Sequence, residues 1–358
     1  MLASQAVAGA AYWLQPPVSV RSLLGVLAFL TLAVANGCGG SETSTNPPQT
    51  NTTPTAAAKP AIWPLRGTTA PNADAVRRRP LVVKIANDSA ARPQSGIAQA
   101  DVVMEIVVEG GITRYALIFQ SQDPDRVGPV RSARQSDLNY LPMLKAVVAH
   151  VGASQEVTRL VRDAAKSGAF IDIDEFEHAD AFERITQRPA PYNAYTSGKK
   201  VRDAAGTAGA EKVNVPALAF GAAGIGTEAR SLVVPYEGAQ RVEYEYDAAS
   251  TSYKRMQGGQ ATLDESAKKE VRLENVVVIK TEIKEIAGTA DSAGAPSVDY
   301  RATGSGPVVV LRDGKRFDGT WSRQGDDMYV FKDSAGAPIL LRPGLTWIHI
   351  VPMTFELM

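Results

Sequence analysis

Residues 102–137, VVMEIVVEGGITRYALIFQSQDPDRVGPVRSARQSD, hold the densest set of side chains able to do chemistry. Glu105 and Glu109 stand on a β-rich run ending at Gly110-Gly111, and Arg114 stands on the returning run. A Gly-Gly pair supplies the positive φ angles of a two-residue hairpin turn. That turn pairs Glu109 with Ile112, Val107 with Arg114 and Glu105 with Ala116. Alternation then puts Glu105, Val107, Glu109 and Arg114 on one face, with Arg114 diagonal to both acids at roughly 7–8 Å. Such a group is either a structural ion network or the wall of a polar cleft, since partly buried charges must pair to be tolerated. As an acid/base pair it resembles a glycan-cleaving arrangement only loosely, because an arginine between two carboxylates keeps both ionised. No residue is assigned a catalytic role.

Further along, Pro129 is expected to open a helix that carries Arg131, Ser132 and Arg134 in its first turns, with Asp137 following. The free N–H groups and dipole of a helix start attract anions. Arg126, Arg131 and Arg134 near such an end suit a phosphate, a carboxylate or an acidic polymer; alternatively they pair with Glu105, Glu109 or Asp137. The loop at 190–197, APYNAYTS, is rich enough in aromatics to line a site through Tyr192 and Asn193. The ligand-binding candidates are therefore Glu105, Glu109, Arg114, Arg131, Ser132, Arg134, Asp137, Tyr192 and Asn193. Other groups read as framework. Ser154 lacks a Gly-x-Ser-x-Gly elbow and reads as a helix N-cap. His150 and His349 alternate with apolar neighbours as core residues do. The acidic stretch 171–180 lacks the glycine and terminal glutamate of an EF-hand loop. The sequence calls for no metal and no cofactor.

The elements that must position these groups form an α+β fold with layered sheets, in two domains: a mixed α/β unit at 76–225 and a β-rich unit at 226–358. In the first, PLVVKI at 80–85 reads as a strand, VVAHV at 147–151 as a buried strand, and 155–165 and 199–208 as helices. From residue 232 the pattern turns to strands: RVEYEYD at 241–247, NVVVIKT at 275–281, and a hairpin about Asp313-Gly314. Trp321 and Trp347 belong in the core. Lys+Arg and Asp+Glu are both 38, a balance that argues against nucleic acid as the main partner. The single cysteine, Cys38, excludes an intramolecular disulfide.

That cysteine ends an export signal. Residues 23–35, LLGVLAFLTLAVA, follow Arg21 and precede small residues, a pattern too short to span a membrane but suited to a signal peptide at 1–38. Cys38 sits where a lipoprotein receives its lipid. Residues 1–20 fit a signal peptide poorly, which implies translation from near Val20. The Gly/Ser/Thr/Pro-rich stretch that follows is expected to be a disordered tether over 39–75. The partners implied are the membrane, through lipid on Cys38, and a cell-wall polymer or envelope protein.

The run RPLVVKIANDSAARPQSGIAQADVVMEIVVEGGITRYALIFQSQDPDRVGPVRSAR, with NVVVIKT, DGTW and RPGLTWIHIVP later, closely resembles the YerB-like bacterial lipoproteins over residues 80–352. GGITR and GPVRSAR carry most of that specificity. The loop APYNAYTS departs from the family at Tyr192, where relatives carry histidine. The resemblance implies an exported, membrane-attached protein of two α+β units and supplies no catalytic or binding residue. Three roles follow as expectations: a non-enzymatic envelope lipoprotein presenting a binding cleft, a wall hydrolase using Glu105 or Glu109 as acid/base, or a passive assembly factor docking through its β-rich half.

Overall fold

The computed structural model describes residues 59–287, 289 and 294–358. The export segment, the start near Val20, Cys38 and the tether as far as residue 58 lie outside the described residues. Among those described, no helix is long and apolar enough to cross a membrane. The described body starts earlier than residue 76. Ile62 bridges to Thr69, Trp63 and Leu65 are buried, and Arg66 pairs with Asp101 at 3.2 Å. Three large side chains at Ile62, Trp63 and Leu65 give this stretch the apolar area that the Ser/Thr/Pro-rich text before it lacks.

The fold is α+β with few helices and many strands in layered sheets. Its N-terminal half supplies β1 (Leu81–Ala86), β2 (Val102–Val107), β3 (Thr113–Phe119), β4 (Val147–His150) and β5 (Ile171–Asp174). Between them lie α1 (Leu141–Leu144) and α2 (Gln155–Lys166), followed by α3 (Gly198–Ala210). The C-terminal half supplies β6 (Ser231–Val234), β7 (Val242–Asp247), β8 (Ser252–Gln257) and β9 (Asn275–Thr281), then the short pair β10 (Ile283–Glu285) and β11 (Val298–Tyr300). It ends with β12 (Gly304–Arg312), β13 (Lys315–Arg323), β14 (Val330–Asp333) and β15 (Thr346–Pro352).

The boundary expected between 225 and 226 does not divide the main sheet. Its order is β14-β13-β12-β9-β15-β2-β3-β1-β4-β5, and strands from both halves meet where β15 lies parallel to β2, Val102 opposite Thr346 through Ile106 opposite Ile350. The described residues belong to a single compact unit. The near-continuous apolar text of NVVVIKT and TWIHIV reflects this position, because inner strands are covered on both faces.

One face of the sheet packs Val82, Met104, Ile106, Val148, Ile279 and Ile350 against α1, α2 and Trp321. The other packs Val83, Val103, Tyr115, Val278 and Trp347 against α3 and a second sheet containing β8-β7-β6. Strands β1, β4 and β5 are mutually parallel, and α2 makes the crossover from β4 to β5. Ligands in parallel sheets settle where strands end and helices begin, and that edge carries the cleft described next. Because β15 is the seam, deleting residues 346–358 should abolish the single thermal transition and the near-ultraviolet dichroism of the whole body; an N-terminal half that still melts cooperatively would contradict this.

Candidate functional site

The β2–β3 hairpin differs from the expected register by one residue. Val107 lies opposite Thr113, Ile106 opposite Arg114 and Glu105 opposite Tyr115. Glu109 joins Gly110 and Gly111 in a one-turn loop, closed by Val108 N–H donating to Ile112 O at 2.8 Å, with both glycines at positive φ. Three loop residues in place of two move every pairing by one, and a one-residue slip exchanges faces. Glu105 and Arg114 therefore point to opposite sides of the sheet, and the expected Glu–Arg–Glu cluster does not form.

Glu105 faces the second sheet and is sealed, with no exposed surface. It accepts from Arg255 Nη2 at 2.8 Å, Trp347 Nε1 at 2.9 Å and Thr113 Oγ1 at 2.9 Å. Burial opposes its ionisation, but Arg255 and the hydrogen bonds from Thr113 and Trp347 outweigh burial and hold its pKa below the ordinary value. Arg255 also stacks over the Trp347 ring, 4.3 Å from its centroid. His349, opposite Glu105 on β15, sits between the hydroxyls of Tyr236 and Tyr244 at 3.1 and 2.7 Å. Burial pushes its pKa down to about 4, against the pull of Glu105. A sealed carboxylate held ionised cannot donate a proton to a glycosidic oxygen, so Glu105 takes no part in an acid/base pair.

The remaining charges gather on the opposite face, at the end of β1. No helix opens at Pro129. Residues 130–133 run extended, with Val130 N–H donating to Ala194 O, Arg131 N–H to Lys84 O and Ala133 N–H to Gly152 O. These donors are committed to neighbouring strands, which is why the first helical turn waits until Gln135. Arg126 departs from the group: its guanidinium stacks over Tyr195 at 4.5 Å, in a separate cleft of about 740 Å³. There Arg184 and Arg188 pair with Glu175 and Glu265.

Glu109, Arg114, Arg131, Ser132 and Arg134 line one cleft of about 560 Å³, together with Asp88, Ser154 and Ser297. Arg114, only 3% exposed, donates to Asp88 at 2.7 Å while its Nε has no partner. Arg134 Nε donates to Glu109 at 2.6 Å, and Ser297 Oγ donates to the other oxygen of that carboxylate at 3.3 Å. Among the described residues, Arg131 has no hydrogen-bond or ion-pair partner for its side chain; its guanidinium lies 5.8 Å from the centre of the Tyr192 ring. Burial lowers the pKa of both Arg114 and Arg131, with Asp88 opposing and the other arginines of the group adding to the decrease. Among the described residues, three guanidinium groups face two carboxylates, Asp88 and Glu109.

Asp137, Tyr192 and Asn193 do not line the cleft, Tyr192 reaching it only through its contact with Arg131. Asp137 is buried, receiving Lys84 Nζ and Tyr140 Oη, each at 2.7 Å, on one oxygen and the backbone N–H of Arg134, also at 2.7 Å, on the other. It thereby fixes Arg134. Asn193 Oδ1 accepts from Arg184 at 2.9 Å. The helix start that does reach the cleft is that of α2, where Ser154 caps Val157 N–H at 3.4 Å. His150 is committed at both ring nitrogens, to Gly152 O at 3.0 Å and Asp172 at 2.8 Å, so it offers Ser154 no free base. Among the described residues no cluster of metal ligands occurs.

The comparisons with known proteins agree with this architecture. Residues 65–211 match the N-terminal domain of a protein family of unknown function, DUF3048, and residues 232–348 match its C-terminal domain. The relative named "Putative lipoprotein YerB" in Bacillus subtilis (strain 168) is 31% identical over 281 residues, covering 77% of this chain and 82% of that one. The crystal structure of YerB protein from Bacillus subtilis superposes with a TM-score of 0.72 at 30% identity, over 83% of this chain and 99% of that chain. The chain belongs to the DUF3048 family, whose YerB member it is similar to along most of its length.

The sealed histidine gives a pH test. His349 is neutral when folded, with a pKa near 4 against an ordinary 6.5, so the unfolded chain binds more protons between those values. Its contribution is present above about pH 6.5 and is lost as pH falls toward 4, by roughly 3 kcal/mol. Urea unfolding at pH 7 and pH 4.5 should show a smaller acid loss for His349→Gln than for the wild type; equal losses would contradict the assignment. Glu105→Gln, which leaves Arg255 buried without its counter-charge, should cost about 3–5 kcal/mol at pH 7.

Proposed function

We propose that this chain is an exported lipoprotein, held at the outer face of the cell membrane through Cys38, whose folded body binds an anionic group of an envelope component without catalysing a reaction. The observation that carries the binding reading is Arg131, a guanidinium in a cleft wall with no hydrogen-bond or ion-pair partner for its side chain among the described residues. Around it, Arg114 and Arg134 are each held by one carboxylate and add two further cations. The start of α2 contributes partial positive charge at the same cleft. The excess of cations among the described residues suits a compact anion such as a phosphate ester or a carboxylate. The anchoring reading rests on the apolar run before Cys38 and on the lipoprotein name of the relative.

Titration of the purified chain with methyl phosphate at low salt should give saturable heat with one site, weakening as salt is raised. Arg131→Ala should lower that affinity at least about tenfold while shifting stability by under about 0.5 kcal/mol, since no protein partner is lost. Absence of saturable binding, or equal binding by Arg131→Ala, would sink the reading. Separately, Cys38→Ser should move the protein from the membrane fraction to the soluble extracytoplasmic fraction; retention at the membrane would argue against lipid on that residue.

A further inference from the structure

The cationic cleft does not end at the hairpin tip. A second cleft, of about 450 Å³, adjoins it and shares Gly110 and Ala295 with it. Its character is different: Tyr236, Ile283, Pro296, Val298 and Phe355 form much of the lining. Ile283 and Phe355 stay half-buried there, and among the described residues charged side chains come only from Glu237, Lys284 and Glu285. The divide between the two clefts is the β2–β3 turn. A Cβ built on Gly110 or Gly111 meets nothing within 4 Å, so the divide is a bare backbone ridge with no side chain on it.

We propose that the two clefts form one site for an amphiphilic anion: a phosphate ester whose charged head lies at Arg131 and whose alkyl or prenyl chain crosses the glycine ridge into the apolar cleft. The proposal rests on the anion-binding reading above and names the class of ligand. A small polar anion would use only the cationic side and leave the apolar lining in water. A chain attached to the anion covers that lining, and each buried methylene adds about 0.8 kcal/mol, a factor of about four in affinity. Reach favours the same occupant. Twenty residues separate Cys38 from Lys59, where the described body begins, a span of at most about 70 Å when extended. A body anchored at Cys38 therefore stays within that distance of the membrane surface, where alkyl- and prenyl-bearing phosphates reside, either as lipid headgroups or as lipid-linked polymer.

The test uses the full chain carrying Cys38→Ser and four probes below their micelle concentrations: methyl phosphate, octyl phosphate, octyl glucoside and a short acidic peptide with leucine neighbours. Octyl phosphate should bind at least about tenfold tighter than methyl phosphate, the gain expected from burying two methylenes. Octyl glucoside, with the same chain and no charge, should bind at least tenfold more weakly than octyl phosphate. Ile283→Glu should erase the gain, so that octyl phosphate binds no tighter than methyl phosphate does to the same variant; Phe355→Ser, near the C-terminus, serves if the first variant fails to fold. Methyl phosphate binding as tightly as octyl phosphate overturns the amphiphile proposal alone. Failure of both phosphates overturns the anion site beneath it. Tighter binding of the acidic peptide, or equal binding of octyl glucoside, also overturns the proposal. Phosphatidic acid vesicles and soluble prenyl phosphate then separate the two sources of the same chemistry.

Discussion

A carboxylate enclosed between two sheets sets the register of the elements that meet around it. Glu105 reaches β15 through Trp347, β3 through Thr113 and β8 through Arg255, so four strands from both halves of the chain converge on two oxygens. Removing one partner from such a network leaves a charge stranded in low dielectric, whereas a neutral neighbour would tolerate a slipped strand. Side chains alternate along β2 and β3, and fixing Glu105 inward therefore fixes Arg114 outward. The cleft on the far side of the sheet is a consequence of the ion cluster on the near side.

The contrast between those two groups of charges is what separates framework from site. The interior cluster is sealed from solvent: Glu105 accepts from Arg255, His349 lies between two tyrosine hydroxyls, and Tyr115 packs edge-on to Trp347 at 5.1 Å, with Arg255 Nε left without a partner among the described residues. The exterior cluster is open. It lines a cleft, its acids are outnumbered among the described residues, and Arg131 is held in place by backbone pairing rather than by an ion pair. Burial disfavours the charged forms of both Arg114 and Arg131, with Asp88 opposing and Arg134 adding to the decrease. In the proposed reading, an incoming anion supplies charge-assisted hydrogen bonds to these guanidinium groups.

Local text foretold local structure. Ser154 before an amphipathic run, Asp313-Gly314 between strands, the buried tryptophans and the strands of NVVVIKT and TWIHIV all lie where their patterns place them. What escaped was set at long range. Whether Glu109 belongs to the strand or to the turn depends on Arg134, 25 residues on. Arg255, 150 residues from Glu105, sits in an alternating strand that marks it no differently from Lys254. Pro129 reads as a helix start until the strand partners of residues 130–133 are known. Two clues were available: Lys84 is a lone charge in the apolar run LVVKIA, and Asp88 stands two residues past the end of that strand. Each now has its partner, Asp137 and Arg114 respectively.

The central claim is that one open cluster of arginines, and not the closed one, receives an anion. Guanidinium nitrogen resonances, resolved residue by residue during a methyl phosphate titration, address it most directly. The account predicts that Arg131 and Arg114 shift together on a single saturating isotherm while Arg255 stays still. Movement of Arg255 with them, or only weak non-saturating shifts spread over every exposed arginine, would contradict it.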